Sequence, residues 1–324
     1  MSDAPLGMAA PAAPPAPPPA VRVRFWGVRG SIPSPGPDTV RYGGNTSCVS
    51  LEAPTIDGSA PDKPGIAILD AGSGIRSLAM SLLRDKRLPV RAHLFLTHTH
   101  WDHIQGFPFF VPALIPGNHI SVYGSVEGED GVCGALSGQM EHRYFPIALK
   151  QMAATLDFHD LSHGEHALAG MGVTVAPLFH SSVTTGYRFD LGGRSVVYLT
   201  DAEPRRSDDQ IVVDPVMLGL AAGSDVLIHD AQYTDEEYPA KIGWGHSPLG
   251  YVVDFAVAAG TKRLILFHHD PMSSDAKLDA YQDLARARAA GRVEVDAAYE
   301  GMEIALPFLV GKRAQVEGAL VAAG

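Results

Sequence analysis

The chain has 324 residues, 46% of them hydrophobic and 34 of them glycine, enough for a sizeable core in an α/β protein with many turns. Its formal charge of −11, without a Lys/Arg stripe to displace counterions, speaks against a protein whose main task is gripping long nucleic acid. It leaves room for a small anionic substrate, because bound metal inverts the local field, and the two distant cysteines, Cys48 and Cys133, speak for a reducing compartment rather than a disulfide framework.

Met1 to Ala20 is nearly all Ala and Pro with no Lys or Arg. Prolines interrupt any continuous apolar h-region, so this stretch reads as a disordered or polyproline-like tail and not as a secretory signal. No later segment is apolar for the length a bilayer demands, so no membrane partner and a cytoplasmic protein are expected. Val21 to Trp26 alternates with period two and predicts a strand, followed by a turn-rich loop from Gly27 to Gly44. Strands follow at Cys48 to Glu52 and Ile66 to Leu69, and Asp70 to Gly74 turns into a helix reaching about Leu83. Ala92 to Leu96 is a buried strand. Phe107 to Leu114 predicts a short helix and Ile120 to Tyr123 a strand, while Gly131 to Ala154 shows a mixed pattern. Further strands are expected at Val173 to Leu178, Thr185 to Asp190, Ser195 to Thr200 and Val226 to His229. A helix at Leu249 to Ala259 precedes a strand at Arg263 to Phe267. Ala276 to Ala290 predicts an amphipathic helix with Leu278, Tyr281 and Leu284 on one face, before closing strands at Val293 to Val295 and Glu303 to Leu306. Two strand blocks, each with helices, predict one α/β domain over residues 21–324, built as a four-layer αββα sandwich.

The chemistry is concentrated in Thr97-His98-Thr99-His100-Trp101-Asp102-His103, directly after the Ala92 to Leu96 strand. Alternation puts His98 and His100 on one side of an extended backbone, and Asp102 and His103 follow where the chain turns. Neutral imidazoles and a carboxylate suit zinc and related divalent ions, and this spacing can serve two of them. Three more candidate ligands stand one step beyond buried strands: His180, Asp201 and His268, the last in competition with its neighbour His269. His246 lies in the glycine-flanked Gly243-Trp244-Gly245-His246-Ser247-Pro248, where a loop can aim a side chain at a substrate. His93, His119, His142, His159, His163 and His166 lack such context and read as surface or structural.

His98-x-His100-x-Asp102-His103 resembles the HxHxDH signature of the metallo-β-lactamase superfamily, an αββα fold carrying one or two metals at one edge of its paired sheets. The resemblance implies that His98, His100 and His180 hold a first ion and Asp102, His103 and His268 a second, with Asp201 bridging. Phe25 to Pro33, Arg41 to Cys48 and Leu69 to Gly74 resemble the cyclic-phosphodiesterase-like branch, related to ribonuclease Z. There, Asp70 would orient a metal-binding His from behind, and His246 would assist the leaving group. His246 and Asp102 are the catalytic candidates, and Arg29 and Arg41 are weaker candidates for a phosphate contact, since loop arginines are more often solvated.

The function expected is a metal-dependent hydrolase that cleaves a small, cyclic phosphodiester with a metal-bound hydroxide, zinc being the first choice of metal and manganese the second. The alternatives are a thioesterase or lactonase of the same fold, or a tRNA-processing ribonuclease Z-like nuclease. Only 21 positions separate His180 from Asp201, filled by a hairpin, so the RNA-gripping arm of ribonuclease Z relatives is not expected. Residues 106–172 would shape the pocket or a homodimer contact. Ser181-Ser182 departs from relatives that often place Pro after the third-motif His, which bears on the local loop and on substrate preference.

Overall fold

The computed structural model describes residues 19–59, 63–125, 131–208 and 210–309. The Ala/Pro stretch through residue 18 therefore lies outside the described residues, and Ala20 already belongs to the first strand.

Two seven-stranded sheets organise the chain. The first is built from β1 (Ala20–Gly27), β2 (Cys48–Ala53), β3 (Gly65–Leu69), β4 (Arg91–Leu96), β5 (His119–Gly124) and β6 (Thr155–Asp160), closed by the last strand among the described residues. The second takes β7 (Gly164–Leu168), β8 (Met171–Leu178), β9 (Thr184–Leu191) and β10 (Arg194–Leu199). After a small ribbon of β11 (Arg205–Ser207) and β12 (Gln210–Val212), it continues with β13 (Val226–Asp230), β14 (Arg263–Phe267) and β15 (Glu294–Ala297). The final strand, β16 (Glu303–Pro307), returns to pair with β1. In the first sheet β3 to β6 run parallel and the β16-β1-β2-β3 half antiparallel; the second sheet repeats this, parallel from β10 through β13 and β14 to β15 and antiparallel from β10 back to β7.

The inner core packs Phe25, Leu69 and Phe95 of the first sheet against Tyr187, Tyr198 and Phe267 of the second, all fully buried. The outer face of the first sheet is covered by α1 (Ile75–Arg84), by the turns after α2 (Trp101–Ile104) and by α3 (Gly131–Gln139). That of the second carries α4 (Pro215–Ala221), α5 (Leu249–Ala258) and α6 (Asp275–Ala289). Helix, sheet, sheet, helix is the four-layer sandwich expected. Among the described residues no helix is long and apolar enough to cross a membrane.

Two expectations are corrected. The Phe107 to Leu114 segment is two short 3-10 turns, Phe107–Phe109 and Val111–Leu114, each with a proline in its first turn. Pro108 and Pro112 deny the backbone the N–H groups a continuous helix requires. In α6, Leu284 is 55% exposed, and the buried stripe is Leu278, Tyr281, Ala285 and Ala289. At 100° per residue Leu284 falls well off that stripe, and small alanines complete it because the helix lies close on β15. Within residues 106–172 the chain supplies β5 and β6 to one sheet and β7 to the other. The hairpin between His180 and Asp201 is β9–β10, turning on Gly192 and Gly193, both at positive φ as a tight two-residue turn requires.

β1, β3, β4, β8, β10, β13 and β14 all end at one edge of the sandwich, with the candidate site residues in the segments that follow. Side chains leaving carboxyl ends of such strands converge outside the sheet, the usual place for a ligand in open α/β sheets.

Candidate metal centre

β4 ends at Leu96, and His100 takes extended φ/ψ before α2 begins at Trp101. This break swings Asp102 and His103 under the layer that His98 and His100 occupy. His180 enters after β8, Asp201 after β10 and His268 after β14. Asp201 (φ 57°) and His268 (φ 55°), like Asp70 after β3 (φ 60°), have left-handed backbone, a conformation costly for residues with a Cβ. Three such residues at the ends of three strands, all aimed at one point, mark that point as special.

Nitrogen and oxygen atoms of four overlapping groups come close enough to hold a metal ion: His98, His100 and His180; His98, His103 and Asp201; Asp102, His103 and His268; Asp201, His246 and His268. Asp201 lies between the first and third. Its Oδ1 is 3.9 Å from His98 Nε2 and 3.7 Å from His180 Nε2, and its Oδ2 is 3.2 Å from His103 Nε2 and 3.3 Å from His268 Nε2. Asp102 Oδ2 lies 3.2 Å from His103 Nε2 and 3.1 Å from His268 Nε2, and it accepts the Ser31 N–H at 2.7 Å.

Second contacts select which ring nitrogen faces inward. His103 Nδ1 donates to Asp70 at 2.8 Å, and His180 Nδ1 donates to the Gly245 carbonyl at 2.9 Å, so each turns Nε2 to the centre. Asp70 is fully buried and also accepts the Thr97 N–H and hydroxyl and the Tyr198 hydroxyl. Two glycines permit the close packing: a Cβ on Gly30 would lie 2.4 Å from the His268 ring, and one on Gly245 would lie 2.0 Å from His180 Nδ1.

A divalent cation fits this donor set. His98 Nε2 is buried with no hydrogen-bond partner, a state that costs about 1–3 kcal/mol unless something accepts its lone pair. Ring nitrogens face each other at 3.3 Å in two places, His103 with His268 and His100 with His180. Burial pushes His98, His100 and His180 toward their neutral, ligating form. Asp102 and Asp201 are held ionised, burial notwithstanding, by the imidazoles around them. His103 is also buried, but Asp102, Asp201 and Asp70 raise its pKa well above the usual value.

His246 closes the open side. Its ring stacks at 5.0 Å on His268, and Nδ1 is 3.9 Å from Asp201 Oδ1 and 3.4 Å from Asp230 Oδ2. Burial works against its protonation, yet Asp230, Asp201 and Asp102 outweigh it and raise its pKa. Asp230, fully buried, also accepts the N–H groups of Ala202 and Ser247, which fixes the loop that carries His246. Glu203 holds the other half of that loop through the N–H groups of Gly243 and Gly245. Asp230 and Glu203 were not among the sequence candidates. Asp230 is the last residue of β13, one position beyond the strand expected at Val226 to His229, so the strand-end rule that picked out Asp201 could have found it. Glu203 carries no such signal.

His269 is fully buried and faces away, donating Nε2–H to the Ala298 carbonyl, so His268 is the residue brought to the cluster. Arg29 is fully buried and so is no phosphate contact, whereas Arg41 is exposed and already paired with a carboxylate. Arg29 donates to the carbonyls of Gly43, Asp270 and Ser273 inside the protein, and Arg41 pairs with Asp279. Of the remaining histidines, His93 is bound between Asp57 and Tyr123, and His159 stacks on the same tyrosine.

The sequence model of the Beta-lactamase superfamily domain matches residues 67–269. Ribonuclease Z of Nostoc punctiforme (strain ATCC 29133 / PCC 73102) is 24% identical, over 92% of this chain and 98% of its own length. Among solved structures, the metallo-β-lactamase fold protein YhfI from Bacillus subtilis superposes with a TM-score of 0.64 at 17% identity, covering 88% of this chain and 99% of its own. A diphosphatase from the PhnP family gives 0.61 at 18% identity, covering 88% and 97%. The ribonuclease name runs against the expectation that long nucleic acid is no partner.

Proposed function

The chain belongs to the metallo-β-lactamase superfamily, and on that premise we propose that it is a metal-dependent phosphodiesterase acting on a small phosphodiester, a cyclic one first. The observation that carries this reading is the position of His246. A buried imidazole, backed by the Asp230 carboxylate, stands at the open edge of two adjoining ligand groups. A general acid for a departing oxygen belongs there.

His98, His100 and His180 would hold one divalent ion and Asp102, His103 and His268 a second, with Asp201 shared. Ions so held supply a nucleophile ionised near neutral pH and neutralise charge on the phosphoryl oxygens. The protein's own groups do the rest. Asp70 and the Gly245 carbonyl keep His103 and His180 in the ligating tautomer. The Ser31 N–H fixes Asp102. His246, whose protonated form Asp230 favours against burial, would hand its proton from the ring to the leaving oxygen. Zinc is the metal proposed because imidazole dominates the donor set, with manganese second.

Ribonuclease Z activity is the second reading, favoured by the similarity over nearly the whole chain. The short β9–β10 hairpin between His180 and Asp201 supports the small-substrate reading instead, since it has no room for an RNA-gripping arm.

The test is the dependence on leaving group. If His246 is the acid, His246→Ala loses about 10²–10⁴-fold in kcat with a poor alkoxide leaving group and far less with p-nitrophenoxide, which needs no proton. An equal loss with both leaving groups would refute the assignment.

A further inference from the structure

The loop that carries His246 also presents a feature the hydrolytic machinery does not use. Glu203 clamps Gly243 and Gly245 by their N–H groups, and both glycines have left-handed φ, so the residue between them is driven outward. That residue is Trp244, 59% exposed. Lys241 Nζ lies 3.8 Å from the centre of the Trp244 ring and covers one of its faces. The same ammonium is 5.8 Å from the Tyr233 ring, which in turn meets His246 edge-on at 6.1 Å. Trp244 is two residues from His246, so their Cα atoms are at most about 7 Å apart.

We propose that Trp244, with Lys241 behind it, is a base-stacking platform, and that the substrate is therefore a phosphodiester carrying a nucleobase, a small cyclic nucleotide, in place of a base-free sugar phosphate. This rests on the phosphodiesterase reading above and narrows it. The lysine occupies one face of the indole and draws π-electron density toward itself. The opposite face is left for a flat, electron-rich ring, and a cationic ligand is disfavoured there. An exposed tryptophan in that state is stabilised by a purine or pyrimidine, which every nucleotide offers as a π-face. A phosphodiester held beside His246 places its own base within reach of a ring two residues away. A second exposed ring carries a cation in the same way: Phe179, 42% exposed and adjacent to His180, has Arg205 over its ring at 5.2 Å.

The experiment compares adenosine 2′,3′- and 3′,5′-cyclic phosphates with the matching ribose cyclic phosphates that lack the base, in metal-loaded wild-type, Trp244→Ala and Trp244→Phe proteins. Bis(p-nitrophenyl) phosphate is turned over in parallel. The quantity read is the preference in kcat/KM for the base-bearing member of each pair, with quenching of tryptophan fluorescence by adenosine monophosphate as a binding readout. The wild type is expected to prefer the nucleotide, Trp244→Ala to lose about tenfold to hundredfold of that preference, and Trp244→Phe to keep most of it. A wild type without preference, or one whose preference survives in Trp244→Ala, overturns the platform while bis(p-nitrophenyl) phosphate turnover leaves the phosphodiesterase reading standing. No turnover of any phosphodiester sinks both.

Discussion

Alanine at Asp201 is expected to remove phosphodiester turnover almost entirely and to lower the bound metal from two ions per chain. Asp201 is the carboxylate between the two ligand groups, with five imidazole nitrogens within 3.9 Å of its two oxygens. Its replacement leaves three imidazoles on one side and two imidazoles with Asp102 on the other, with nothing negative between them. Losing the charge stabilisation a metal clamp provides costs several kcal/mol in the transition state, roughly 10³-fold or more in rate. Elemental analysis of dialysed protein beside steady-state kinetics reads both effects. Two retained ions with turnover within tenfold of the wild type would remove Asp201 from the centre.

The second large effect is on stability. Arg29 is fully buried, and it ties the Gly27 to Gly44 loop to the segment after β14. Its Nε donates to the Gly43 carbonyl at 2.8 Å, and Nη1 donates to Ser273 at 2.6 Å and Asp270 at 3.2 Å. Asp275 lies at 4.0 Å and in turn accepts the Arg41 and Tyr42 N–H groups. Burial lowers the pKa of the guanidinium, the usual cost of hiding a charge, and Asp275, Asp270 and Glu300 counter it. Arg29→Ala strands those carbonyls and opens a cavity, so a loss of about 3–5 kcal/mol is expected. Lysine does not rescue it, because a single ammonium cannot serve carbonyls arranged for a planar fork. The segment concerned begins at His268 and His269, so metal affinity falls with stability. Denaturant unfolding of the metal-free protein checks this, and a change under about 1 kcal/mol would contradict it.

Arg29 shows what a sequence withholds. A loop arginine and an interior arginine look alike in one dimension, and only the fold reveals that Gly43, Asp270 and Ser273 surround it. The HxHxDH run was legible because strand alternation and the turn after it are local, and four potential ligands fall within six residues. His180, Asp201 and His268 could be read because an apolar strand ending in a polar residue is also a local pattern. The choice between His268 and His269 needed the left-handed φ at His268, which turns one ring to the cluster and the next to Ala298. Strands β6 and β7 were missed because, as edge strands, they bury little and show no clean alternation. Net charge is silent on local sign for a related reason: −11 is a sum over the whole sequence, whereas the loop that carries His246 has Lys241 lying 3.8 Å from the Trp244 ring.

The most direct test of the two-metal phosphodiesterase is a substrate panel. Protein stripped by a chelator and reconstituted with zinc, or separately with manganese, is offered bis(p-nitrophenyl) phosphate, a thioester and a lactone. The account predicts phosphodiester turnover that disappears on chelation, returns with about two equivalents of metal and exceeds the other two activities. Thioester or lactone hydrolysis without phosphodiester cleavage would contradict it.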